Sequence, residues 1–148
     1  MATKAFKKTQ SDTIFKHHML NMVKTSENLI KIQGDGCYNE MGAAYMAKGK
    51  RDCIAILLPD HHVFSHKYET INSFSMKPVF NKLVKKFLPD EMHQNGEYRT
   101  RMLNILVMIQ NAHDTCFDPF DAGFAHTKEE RISNFQYLCA NICQFIEK

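Results

Sequence analysis

The sequence predicts a mainly α-helical, single compact domain of five or six helices. Three observations carry this. Apolar residues recur every three or four positions in four separate stretches, which is the period of a helix with one buried face. Proline and glycine fall between those stretches rather than inside them. The composition, 44% hydrophobic and 24% charged over 148 residues, lies near globular averages and far from that of disordered chains, so one core is affordable at this length. An α+β alternative, with a small two-stranded hairpin around residues 43–58, remains open.

Residues 1–10 read as a flexible N-terminal tail and residues 11–148 as the domain. Ser11 or Asp12 is placed to cap a first helix whose face carries Ile14, Phe15, Met19, Met22, Val23, Ser26 and Ile30. Gly34-Asp35-Gly36-Cys37 ends it, because glycine tolerates the left-handed angles of a helix C-terminus. Between Tyr45 and Leu58 the pattern fits two short strands joined at Lys48-Gly49-Lys50, or a loop into a buried helical segment from Asp52 to Leu58; the helical segment is the preferred reading.

Leu58-Pro59-Asp60 then stops the chain and Asp60 restarts it as an N-cap. The same Leu-Pro-Asp returns at residues 88–90, after a helix with Pro78 in its first turn and Val79, Phe80, Leu83, Val84, Phe87 and Leu88 on one side. A longer helix follows from Tyr98 to Cys116, striped by Met102, Leu106, Ile109, His113 and Cys116. After a phenylalanine-rich loop, 117–126, Thr127-Lys128-Glu129-Glu130 matches a capping box and opens the last helix, which buries Ile132, Phe135, Leu138, Cys139, Ile142 and Ile146.

No apolar run is long enough to span a bilayer, and the N-terminal lysines are not followed by a signal-like apolar segment, so a cytosolic chain with no membrane partner is expected. Five cysteines without a CxxC pair read as buried free thiols rather than disulfides. A formal charge of +3 is too small to point to nucleic-acid binding. There is no GxSxG elbow and no phosphate-binding glycine loop, which disfavours acyl transfer and nucleotide hydrolysis.

Two sets of residues nevertheless carry candidate chemistry. His113-Asp114 matches the central pair of HD-type metal-dependent phosphohydrolases, where His62 with Asp118 or Asp121 would complete a divalent-metal set; His62 and His66 also have i, i+4 spacing. Against this, His113 shares an apolar stripe from which Asp114 diverges, so the expected cofactor is none and the metal set is the alternative. The second set is a ligand-binding surface at Tyr45, Lys48, Lys50 and Arg51, where cations and an aromatic ring coincide and would suit an anionic nucleotide or an acidic partner. The loop 117–126 is a second such place.

Tyr45, Gly49, the run Asp52-Cys53-Ile54-Ala55-Ile56-Leu57-Leu58-Pro59-Asp60, Phe64, Glu69, and the late Gln110-Asn111-Ala112-His113-Asp114 resemble a group of small uncharacterised proteins of tailed bacteriophages and prophages. The resemblance spans about residues 12–115. It departs at Asp52, where the group has cysteine, and at Ala55, where it has glycine. It implies a viral accessory protein made in the host cytoplasm, and no activity comes with it. The expected function is therefore non-catalytic: binding and blocking or sequestering a host component, such as a defence or metabolic protein or a small signalling nucleotide. The HD-like phosphohydrolase and a virion structural or assembly role are the alternatives, and homo-oligomerisation is left open.

Overall fold

The computed structural model describes residues 2–59 and 70–148. Four α-helices dominate: α1 (Ala2–Gln33), α2 (Lys77–Phe87), α3 (Gly96–Phe117) and α4 (Lys128–Glu147). Two antiparallel hairpins lie between α1 and α2, pairing β1 (Tyr38–Asn39) with β2 (Gly42–Ala43), and β3 (Met46–Ala47) with β4 (Lys50–Arg51). Single 3-10 turns occupy Ala55–Leu57, Phe74–Met76 and Asp90–Met92. The fold is thus predominantly helical with a little sheet, and has four α-helices among the described residues rather than five or six.

α4 packs along both α1 and α3, and α2 closes one side against the same two helices. Their apolar stripes meet in one core that includes Phe15, Met19 and Met22 from α1, Leu106 and Phe117 from α3, and Phe135 from α4, all essentially inaccessible. The α3 stripe of Met102, Leu106, Ile109, His113 and Cys116 is buried throughout, as its spacing requires. Thr127 caps α4 by accepting from the Glu130 amide, and Asn95 caps α3 by accepting from the Tyr98 amide. The cysteines are free: Cys37, Cys53, Cys116 and Cys139 are buried and Cys143 is half-buried.

Several expectations are corrected. α1 begins at Ala2, so residues 2–10 are helical rather than a loose tail, and neither Ser11 nor Asp12 caps a helix start. Asp12 instead accepts from the Tyr98 hydroxyl at 2.8 Å and from Arg101 at 3.3 Å, tying α1 to α3. Ile14 faces outward, because α1 meets its neighbours through the face that holds Phe15 and Met19. The residues 38–58 combine the two alternatives: strands joined by Lys48-Gly49, then a 3-10 turn inside a segment, 52–58, that is buried almost throughout.

Lys48 and Gly49 both have positive φ, 52° and 78°, as a two-residue hairpin turn demands. Leu58 and Leu88 are both extended before their prolines, as steric clash with the proline ring dictates. Asp90 opens its 3-10 turn without a side-chain cap, and Asp60 lies outside the described residues.

Candidate functional site

The 34–59 segment has too little secondary structure to hold itself in place, and polar side chains from the helices fasten it. Gln33, at the end of α1, donates through Nε2 to the carbonyls of Asp35 and Arg51 and accepts through Oε1 from the Arg51 amide. Ser26 donates to the Cys53 carbonyl at 2.8 Å. Gln110 of α3 donates to the Tyr45 hydroxyl at 2.8 Å and accepts from the Ile71 amide at 3.0 Å. Arg131 of α4 reaches Asp35 through two nitrogens, at 3.2 and 3.0 Å, and packs over the Phe124 ring. Each bond satisfies a backbone or side-chain group that burial would otherwise strand.

His113 belongs to the same scheme. Its Nε2 accepts from the Cys37 amide at 3.1 Å, so Nε2 carries a lone pair and the ring proton sits on Nδ1. Nδ1 in turn donates to Asp114 Oδ1 at 3.2 Å, and the ring packs against Phe117 and Phe135. The His-Asp pair therefore does meet, contrary to the sequence expectation that the two diverge. The His113 ring itself presents no free nitrogen, because both are engaged.

The side chains of Asp52, Cys53 and His113 offer ligand-type atoms within 4.8 Å of one another. Asp52 Oδ1 caps the 3-10 turn by accepting from the amides of Ile54 and Ala55, at 3.0 and 2.8 Å. Burial pushes the Asp52 carboxyl up to about 7, against the favourable influence of His113 and of those two amides. Burial also drives the Cys53 thiol well above its ordinary value, and the Cys37 thiol to about 12. Neither is a poised nucleophile. Asp118, at the end of α3, accepts from the Phe120 amide, and the exposed Asp121 accepts from the Gly123 amide in a turn of its own. His62 and His66 lie outside the described residues.

Two clefts flank this region. One, of about 200 Å³, is lined by Tyr45, Asp52, Thr70, Gln110, Asp114 and Asp118, an acidic set. The other, of about 690 Å³, runs between the end of α1 and the β3–β4 hairpin. Leu29, Ile32, Met46 and Ile56 line it, together with Lys48 and Lys50.

The four residues expected to form one surface are divided between these places. Tyr45 is only 4% exposed and opens on the acidic cleft; Arg51 is 7% exposed and donates to the Ala55 carbonyl at 3.0 Å; Lys48 is exposed and Lys50 half-buried. In the 117–126 loop, Phe117 is buried in the core, Phe124 lies under Arg131, and Phe120 is exposed. Ile32, at 73% exposure, is the groove residue that sequence reasoning missed. Its place on the outer face of a helix end gave it the look of a solvent position, and only the folded hairpin beside it makes a groove.

Among the described residues no helix is long and apolar enough to cross a membrane. No family model, curated protein or solved structure matches the chain.

Proposed function

We propose that this chain is a non-catalytic binding protein that acts inside a phage-infected bacterium, seating an acidic, partly apolar segment of a host protein in the groove between α1 and the β3–β4 hairpin. The observation that carries this reading is a groove whose lining pairs apolar side chains, among them the exposed Ile32, with two lysines, Lys48 and Lys50. An apolar lining favours leucine- or phenylalanine-type side chains, and the cations favour Asp or Glu beside them. The resemblance to phage proteins supplies the setting.

A nucleotide fits less well. The ring suited to stack on a base, Tyr45, is inside, and the cleft it opens on carries the Asp114 and Asp118 side chains, which disfavour a phosphate there. The phosphohydrolase alternative is not favoured either, since His113 Nε2 is engaged by the Cys37 amide.

The test is site-specific photo-crosslinking with benzoylphenylalanine at position 32 in bacterial lysate, and at Phe120 as an off-groove control. The expected result is an adduct at position 32 whose crosslinked peptide, sequenced by mass spectrometry, mixes acidic and apolar residues, and which Lys48→Glu/Lys50→Glu abolishes. An adduct indifferent to those substitutions, or equal yields at both positions, contradicts the groove assignment.

A further inference from the structure

α2 carries Lys77, Lys82, Lys85 and Lys86 within its eleven residues and holds no acidic residue; all four lysines are exposed. Lys77, Asn81 and Lys85 fall at i, i+4 and i+8, a row about 12 Å long. Together with His93, Gln94 and Arg99 they line a cleft of about 580 Å³ between α2 and the start of α3. The Arg99 charge is fixed there: Nη1 donates to the His93 carbonyl at 2.9 Å, Nη2 donates to Asn81 Oδ1, and the guanidinium lies over the Phe80 ring. Among the described residues no carboxylate lines the cleft. The acidic groups nearby do not cancel its cations. Asp90 comes within 3.8 Å of His93 Nε2, and Glu91 shares its turn. Glu97 is set about 200° around α3 from Arg99. From α1, Asp12 is paired with Arg101. The four lysines of α2 and Arg99 thus outnumber Asp90, Glu91 and Glu97, none of which is in the lining.

We propose that this cationic cleft binds the sugar-phosphate backbone of double-stranded nucleic acid, without reading its sequence. Charge complementarity selects an anion, and the chemistry of the lining selects this one. Apart from Val84, the side chains there end in ammonium, guanidinium, imidazole and amide groups, the set that contacts phosphate and sugar oxygens in nucleic-acid complexes. A protein segment calls for apolar side chains beside the charges, as in the groove at the end of α1, and here only Val84, itself buried, is on offer. The cations are strung along α2 rather than gathered at one point, which suits successive phosphates of a strand more than a single phosphoryl group. A duplex fits where an unpaired strand does not, because the rings at hand are not placed to stack on a base: Phe80 is 8% exposed beneath Arg99, and the His93 ring is held by the Leu88 carbonyl at 2.7 Å. A whole-chain charge of +3 hides this concentration, since acidic residues elsewhere offset α2. The cleft is apart from the groove at the end of α1 and stands or falls without it.

Fluorescence anisotropy of a labelled DNA duplex of arbitrary sequence, titrated with the untagged full chain from low to physiological salt, tests this, with far-UV circular dichroism as a check on folding. The wild type is expected to bind unrelated duplexes equally, with the logarithm of the binding constant falling linearly against the logarithm of salt concentration. Lys77→Gln/Lys85→Gln removes two phosphate contacts, so binding weakens for every duplex and the slope becomes shallower by about 2. Lys77→Arg/Lys85→Arg keeps the charges and keeps the binding. Lys24→Gln/Lys31→Gln removes the same charge from exposed positions on α1 and leaves the slope in place. No binding at low salt, or a slope near zero, overturns the proposal on the unaltered chain alone, whatever the variants do. Equal losses from the two glutamine pairs overturn it as well, and so does tighter binding to a single strand of the same sequence. Equal affinity for polyglutamate of matching charge overturns it in favour of an acidic protein.

Discussion

Asp35 and Arg131 show how single residues hold this molecule together. The carboxylate and guanidinium are both almost fully buried, bonded to each other, and shared with the Tyr38 hydroxyl at 2.8 Å from Asp35 and 3.1 Å from Arg131. Burial raises the Asp35 carboxyl, but hydrogen bonds from Arg131, Tyr38 and the Gly36 amide more than offset it, and the group ends below its ordinary value. Its stabilising contribution is therefore present above the unfolded carboxylate range and lost as pH falls. Arg131→Met should cost about 3–5 kcal/mol in urea unfolding at pH 7, because it leaves a buried carboxylate without its partner. A loss below 1 kcal/mol would show the pair to be solvated. The pair was not legible in the sequence. Asp35 lay inside a Gly-Asp-Gly turn that already had a local explanation, and Arg131 followed a capping box that suggested only an exposed first turn. Their meeting depends on how α4 crosses the end of α1.

At the scale of elements, the helices were legible because their apolar period is long enough to outweigh local propensity. The 34–59 segment was not. Its strands are two residues each, too short to alternate, and its 3-10 turn is shorter than any periodic signal. The Lys48-Gly49 turn was readable from Gly49, whereas the inward turn of Tyr45 and Arg51 depends on Gln110 and Gln33 from distant helices. Asp52 caps the 3-10 turn from full burial, and its raised carboxyl gives the segment a pH dependence opposite in sign to that of Asp35. The folded chain holds a proton there that the unfolded chain releases, so this contribution is present at about pH 4 and is lost as pH rises toward 7. Asn at this position still accepts both amides and cannot titrate. Wild-type stability should accordingly fall relative to Asp52→Asn between pH 4 and 7, by up to roughly 4 kcal/mol, in paired denaturant titrations. Parallel profiles would mean that Asp52 ionises normally.

Across the whole molecule, the residues that look most chemical in the sequence are those that join its parts. His113 sits where α3, α4 and the hairpin segment converge, and it contacts Phe117, Phe135 and the Cys37 amide at once. The sequence placed it correctly on the buried stripe of α3. What the sequence hid was the amide 76 residues away that claims its second nitrogen. The groove was half legible: Lys48 and Lys50 were readable as cations, but Ile32 acquires its role only once the hairpin folds against α1. If the buried Asp, Cys and His groups are architectural and binding belongs to the surface, then the protonation of one ring decides the matter. Long-range proton–nitrogen correlation of the 15N-labelled protein at neutral pH, with His113→Gln used to identify the resonance, reads it directly. The ring should carry its proton on Nδ1, and Nε2 should neither shift nor broaden when stoichiometric Zn²⁺ or Mn²⁺ is added. A proton on Nε2, or an Nε2 resonance that moves with metal, would contradict a structural role and return His113 to the candidates for catalysis.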